Sequence, residues 1–200
     1  MILSNEQKDS ITELINISFS KAAASLSELT GHRVLLSVPE IEILKIDDIE
    51  TALSKYISGE ISTVHQIFNG AISGDALLLL DKQSAKLLAN LLVEDTNYSK
   101  DFDISAQEVI VEVGNILLNA CLGVFGNLLK VQFKFSVPIL HVQSLENMLK
   151  SIVLEKEELR YAMIVFMEFK LRDSNIKGFL IIVLGVTSLD KFLKQVQSIG

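Results

Sequence analysis

The sequence predicts an α+β fold in which one αβαββα unit is written twice, three strands from each copy join a central six-stranded sheet, and two long helices lie against it. Two observations carry that prediction. Glu13 and Glu112, Asn16 and Asn115, and Pro39 and Pro138 are each 99 residues apart, and the only two prolines of the chain each close a Ser-Val-Pro triplet, Ser37-Val38-Pro39 and Ser136-Val137-Pro138. The order of apolar periodicities repeats with them.

The first copy opens on an amphipathic helix over 5–30. A strand over 33–46, a short helix over 47–55, strands over 62–69 and 76–80, and a helix over 84–92 follow it. The second copy runs through a helix over 105–129, a strand over 131–142, a short helix over 145–152, strands over 161–171 and 179–184, and a helix over 189–196. The offset grows to 104 between Gly74 and Gly178, so the second hairpin is the longer one. Ser4-x-x-Gln7 and Ser105-x-x-Glu108 read as capping boxes that open the two long helices. Only a short polar connection, 94–103, separates the copies, so 1–98 and 99–200 are expected to fold as halves of a single domain over 1–200.

A chain of 200 residues with 49% hydrophobic and 22% charged residues has enough apolar surface to bury a core of its own. The net charge of -7 disfavours a nucleic-acid ligand, whose affinity comes from Lys and Arg displacing counterions, and favours a basic or mixed protein partner. Mean hydropathy is +0.39, yet uninterrupted apolar runs such as 179–186 are strand-sized, so neither a membrane span nor membrane binding is expected. The first residues have no basic, then apolar, signal pattern, which points to the cytoplasm. Cys121 is the only cysteine; set among Leu117, Leu118 and Phe125 at helical spacing, it is expected to pack in the core rather than act as a nucleophile. Met163 and Met167, at even spacing on a strand, are read as core. His32, His65 and His141 lack ligand spacing, and the sequence contains no Gly-x-Ser-x-Gly, phosphate loop or Cys-x-x-Cys.

At about 100° per residue, Asp9, Glu13 and Asn16 fall within about 60° of one another on the first helix. Ile11, Ile15, Ala22, Leu26 and Leu29 gather on the opposite side, so the acidic-amide stripe is expected to face outward. On the second helix Glu108, Glu112 and Asn115 repeat the stripe against Ile110, Val113, Leu117, Cys121, Phe125 and Leu128. Beyond Asn16 the same side continues through Ser20, Ala23 and Ser27; beyond Asn115 it continues through Asn119, Gly123 and Gly126. Such small residues leave room for another protein along the helix. Outward Glu and Asn are ordinary solvated residues on most helices, but Asn is a mediocre helix former, and placing one mid-helix in both copies asks for a further cause.

These residues resemble the signature of the CheC/CheX/FliY phosphatases of bacterial chemotaxis and related two-component signalling. In that pattern Asp or Ser is followed after three residues by Glu, after two more by Asn, and after twenty-two by Pro. Asp9, Glu13, Asn16 and Pro39 match every position. Glu108, Glu112, Asn115 and Pro138 depart only at the first, where Glu108 also has the alternative role of helix cap. With two intact pairs and no spare length, the chain is most similar to CheC. The resemblance implies a CheC-like pseudo-twofold fold with the long helices bearing the sites. Ile15, Ser18, Phe19 and Ser20 replace the Gly-rich continuation typical of the first helix, so the partner need not belong to chemotaxis.

What the resemblance implies is hydrolysis of an aspartyl phosphate on a CheY-like response regulator. That reaction needs a water held in line with the departing carboxylate while cations hold the phosphoryl oxygens. The regulator supplies Mg2+ and a Lys, so this chain is expected to bind no metal or cofactor of its own. Asn16 or Asn115, able both to donate to and accept from the water, would position it. Glu13 or Glu112, one turn away, would pair with the regulator's Lys, with Asp9, Glu108, Ser20 and Asn119 as flanking contacts. The second site is expected to be the stronger because Gly114, Asn119 and Gly123 keep it nearer the family pattern, while Ile15 and Phe19 crowd the first. The alternative is a non-catalytic CheC-like adaptor that binds a phosphorylated regulator or a CheD-like deamidase.

Overall fold

Ser4 opens helix α1 (Asn5–Thr30) with a reciprocal capping box: its Oγ accepts from the Gln7 amide at 3.2 Å, and Gln7 Oε1 accepts from the Ser4 amide at 3.0 Å. Gly31 ends the helix in the left-handed region, φ 66°, which glycine adopts without a Cβ penalty. The computed structural model describes residues 3–92, 104–153 and 160–197. After α1 come β1 (Val34–Lys45), a 3-10 turn (Ile46–Asp48), α2 (Ile49–Leu53), β2 (Glu60–Asn69), β3 (Gly74–Asp81) and α3 (Lys82–Leu92). The second copy runs α4 (Ile104–Leu129), β4 (Lys134–Phe135), β5 (Ile139–Ser144), α5 (Leu145–Val153), β6 (Arg160–Leu171), β7 (Ser174–Gly185) and α6 (Val186–Gln197). The duplicated αβαββα order is therefore present; the expected polar connection, 94–103, lies outside the described residues. So does whatever precedes α4, but Ile104 is already helical, which places Ser105 inside the first turn rather than ahead of it.

The described strands all join one antiparallel sheet in the order β1-β6-β7-β3-β2, with β5 and β4 both pairing along the far edge of β2. The copies exchange their first strands. β1 of the first copy pairs with β6 of the second, β5 of the second pairs with β2 of the first, and β3 and β7 meet at the centre. Central strands buried on both faces need continuous apolar runs, and Ala76–Leu80 and Phe179–Leu184 provide them.

Each Ser-Val-Pro triplet interrupts an edge strand, because proline has no amide to donate and is tolerated at edges and bulges. In β1 the register against β6 shifts between Ser37 and Glu40. In the second copy the break is complete: the strand expected over 131–142 is split into β4 and β5 on either side of Ser136-Val137-Pro138, so the sheet has seven strands rather than six.

Two apolar clusters cover the sheet. On one face α1, α3, α4 and α6 pack over Val64, Phe68, Leu78, Met163, Val165 and Met167. On the other, α2 and α5 pack over Ile61, Leu77, Leu79, Ile164, Ile181 and Val183. This second face also carries a buried polar knot that ties the copies together. Asp75 on β3 bonds to Arg160 at the start of β6 and lies 3.1 Å from His65 Nε2, and Arg160 donates to the Ile152 carbonyl of α5 at 2.9 Å.

Ile11, Ile15, Ala22 and Leu26 are buried as expected, and so are Met163, Met167 and Cys121. Leu29, expected with them, is 60% exposed because the core ends before the last turn of α1, where Leu29 lines a surface groove instead. By length and composition α4 is apolar enough to cross a membrane, a feature that counting uninterrupted apolar runs overlooks. More than half of that stretch is buried against the rest of the chain.

Candidate functional site

The two long helices pack on each other running in opposite directions: Leu29 and Thr30 at the end of α1 share a groove of about 570 Å3 with Ser105, Glu108 and Glu112 near the start of α4. A second, shallower groove of about 310 Å3 lies between Ile104, Glu108, Val111 and Glu112 and Leu140 of β5. Glu108 and Glu112 thus stand on a ridge between two depressions. On α1, Asp9, Glu13, Asn16 and Ser20 are all exposed; on α4, Glu108 and Glu112 are exposed, while Asn115 and Asn119 are half-buried. The outward acidic-amide stripe is therefore present on both helices.

The lane of small residues expected to continue that stripe is not uniform. Ala23 and Gly126 are buried, and Ser27 faces inward enough for its Oγ to accept from the Val34 amide at 3.0 Å. Gly126 packs beneath the end of α4, where an added Cβ would meet the Val131 carbonyl at 3.0 Å. Gly123 is open to solvent, with nothing within 4 Å of an added Cβ.

Ile15 and Phe19 do not crowd the first site. Both are buried in the core between α1 and the sheet. The asymmetry between the copies arises elsewhere. Gly114 takes the place that Ile15 holds in α1, and an added Cβ there would lie 2.6 Å from Val64, so α4 rides close on β2. That approach brings the amides of α4 to Gln66, a β2 residue only 2% exposed. Asn119 Nδ2 donates to Asn115 Oδ1 at 2.7 Å, Gln66 Nε2 is 3.4 Å from Asn119 Oδ1, and the same Gln66 nitrogen donates to the Ser136 carbonyl at 3.1 Å. Ser136 is in turn bound to β2: its amide donates to the Ile67 carbonyl and its Oγ accepts from the Ile67 amide, both at 2.9 Å.

Among the described residues the first site has no such relay. Gly74 pairs with Phe68 and Gly178 with Met167, so the counterpart of Gln66 is Val165, which is buried and apolar. Ser20, in the place of Asn119, donates to the Asn16 main-chain carbonyl at 2.8 Å. Among the described residues the Asn16 side chain has no hydrogen-bond partner.

Sequence reasoning missed Gln66. The signal was available in Val64-His65-Gln66-Ile67-Phe68, where Val64 and Phe68 take the core-facing positions of an alternating strand and a Gln stands between them. Burial pushes the Cys121 thiol up to about 12, against a smaller opposing effect of its contact with the Ser18 hydroxyl, so this thiol is a packing group between α4 and α1. Among the described residues, no group of three or more His, Cys, Asp or Glu side chains is placed to share a metal ion. His65 and His141 lie on adjacent strands, and His65 is engaged with Asp75.

No protein-family model matches the sequence. The chain is 26% identical over 122 residues to the flagellar motor switch phosphatase FliY of Bacillus subtilis, a match covering 60% of this chain and 30% of that protein. This chain therefore spans about a third of that relative's length. Among solved structures it is similar to FliY of Thermotoga maritima, with a TM-score of 0.78 at 20% identity, covering 99% of both chains. It is also similar to the FliM middle domain of H. pylori, with a TM-score of 0.68 at 12% identity, covering 96% of this chain and 99% of that one.

Proposed function

We propose that the chain is a member of the CheC/CheX/FliY family, as its similarity to FliY supports, and that it accelerates hydrolysis of the aspartyl phosphate on a CheY-like response regulator. The observation that carries this reading is an exposed Glu with an Asn one helical turn on, on each of two antiparallel helices: Glu13 with the exposed Asn16, and Glu112 with the half-buried Asn115. Insertion of such a helix into the regulator's phosphorylation site brings an amide to the attacking water. The water oxygen forms a bond to phosphorus, the bond to the aspartyl oxygen breaks with its electron pair returning to the carboxylate, and inorganic phosphate leaves as H2PO4-, carrying both protons of the water. Asn16 or Asn115 holds the water, and Glu13 or Glu112 pairs with the regulator's Lys. Mg2+ belongs to the regulator and holds the phosphoryl oxygens there. Asp9 and Glu108 extend the acidic stripe that docks a basic surface.

The resemblance to CheC rests on the two Glu/Asn pairs, whereas the solved structures described above are a FliY and a FliM domain. The FliM likeness favours a second reading, in which the chain is an adaptor that holds a phosphorylated regulator, or a CheD-like deamidase, without turnover. Decay of a CheY-like regulator charged with acetyl phosphate, followed with and without this chain and with and without Mg2+, separates the two. Acceleration that requires Mg2+ supports the phosphatase. Binding without acceleration supports the adaptor.

A further inference from the structure

The chain of amides behind α4 is anchored by a group that can only accept. The Ser136 main-chain carbonyl has no proton to give, so the Gln66 atom 3.1 Å from it is the amide nitrogen. That same nitrogen faces Asn119 at 3.4 Å, so the Asn119 atom there is the oxygen. The Asn119 nitrogen is then on the other side, 2.7 Å from Asn115, and the Asn115 atom that meets it is Oδ1. Each amide's orientation follows from the one before it. The cost of the arrangement is a buried Gln66 Oε1 with no partner among the described residues, a penalty that an apolar side chain would avoid.

We infer that Gln66 is a positioning residue which, through Asn119, sets the amide of Asn115. The second site therefore meets its partner with Asn115 Nδ2 free to donate and one lone pair of Oδ1 already taken. The inference rests on the reading of Asn115 as the group that holds the attacking water. It assigns a function to a residue on β2 that faces the core, and it gives the break at Ser136-Val137-Pro138 a purpose: the interrupted edge strand brings a carbonyl within reach of Gln66. It also separates the two sites by mechanism. The second is preorganised, whereas the first, with Val165 and Ser20 in the corresponding places, must order Asn16 on contact with the partner.

The test uses the full chain. Side-chain amide resonances of Asn115 and Asn16 are followed by NMR in the parent, in Gln66→Met and in Asn119→Asp. Gln66→Met is close in shape and removes the unpaired oxygen, so the fold is retained. Asn119→Asp keeps an acceptor toward Gln66 but presents another to Asn115, which must turn its own NH2 inward. In the parent, Asn115 is expected to be restrained and Asn16 mobile; in Gln66→Met, Asn115 becomes as mobile as Asn16. In an Asn16→Ala background, where only the second site acts on a CheY-like regulator charged with acetyl phosphate, both variants are expected to lower kcat on the order of ten- to a hundred-fold with KM unchanged. An Asn115 side chain as mobile as Asn16 in the parent, or equally restrained after Gln66→Met, overturns the inference, and so does an unchanged kcat. If the parent chain does not accelerate decay, the proposed function falls and the amide resonances alone decide the relay.

Discussion

Gly114 on α4 and Val64 on β2 mark a point of contact so close that a Cβ on the glycine would lie 2.6 Å from Val64 Cγ1 and 2.9 Å from Cγ2. Val64 cannot yield easily, because a β-branched side chain is stiff at χ1 and its strand is held between β3 and β5. Gly114→Ala is therefore expected to destabilise the fold by about 1–3 kcal/mol, despite alanine's helix preference of about 1 kcal/mol. Gly123→Ala, on the same helix with open space around it, is expected to be neutral or to stabilise by up to about 1 kcal/mol. Urea denaturation of the two variants checks the contrast, and equal effects would show that the close approach has no energetic weight.

Asp75 links the copies through a pH-sensitive contact. Burial by itself would raise its carboxyl, but the His65 hydrogen bond and the Arg160 guanidinium outweigh burial and hold it below the usual carboxylate value. A carboxyl depressed in the folded state contributes stability that is present above its unfolded pKa, about 3.9, and is lost as pH falls through the lower folded value. Asp75→Asn leaves the Arg160 charge buried without its counter-ion, so it is expected to cost about 3–5 kcal/mol at neutral pH. Melting temperatures of parent and variant should converge as pH drops below about 4. A gap that stays constant down to pH 2 would mean that the carboxylate charge is not what Arg160 requires.

The exchanged strands make a prediction about dissection. Residues 1–98 would carry β1 without β6, and β3 without β7, so one edge and the centre of the sheet would lose their pairing and the apolar face of α1 would lose α4. That fragment is expected to be unfolded or aggregated alone, and the full chain to unfold in a single transition by circular dichroism. A stable, monomeric 1–98 fragment with native-like dispersion would contradict a shared core.

Much of this architecture was legible because the repeat appears in residues with strong local consequences. Two prolines in matching triplets locate both edge strands, and paired Glu and Asn locate the outer face of both helices. The exchange of strands was not legible, since β1 has the same apolar alternation whichever strand it pairs with. Nor was the split of the second edge strand, because Val137 and Ile139 read as strand residues and only the missing amide of Pro138 tells against continuity. The relay was hidden for a related reason. Asn115 and Asn16 have identical sequence surroundings at motif spacing, and what distinguishes them is a Gln on a strand about fifty residues away in one copy and a Val in the other.

That difference bears on the two catalytic candidates. Asn16 is exposed and without a side-chain partner among the described residues, so Asn16→Ala should change stability by less than about 0.5 kcal/mol. Asn115→Ala leaves the Asn119 amide without its acceptor, and a loss of about 1 kcal/mol is expected. Both losses are too small to unfold the chain, so the double variant should remain folded and keep most of its affinity for the regulator. Its ability to accelerate aspartyl-phosphate decay should nevertheless fall on the order of 10²–10³, because a group that holds the water acts chiefly in the transition state. Of the single variants, Asn115→Ala should lose more, since it removes the preorganised site. Glu13→Ala with Glu112→Ala should differ in kind, weakening association itself, because a contact to the regulator's Lys forms before chemistry begins. Decay rates measured over a range of regulator concentration separate these effects. A double Asn variant that still accelerated decay at the parent rate would remove the amides from the mechanism and leave the acidic stripe as a docking surface alone.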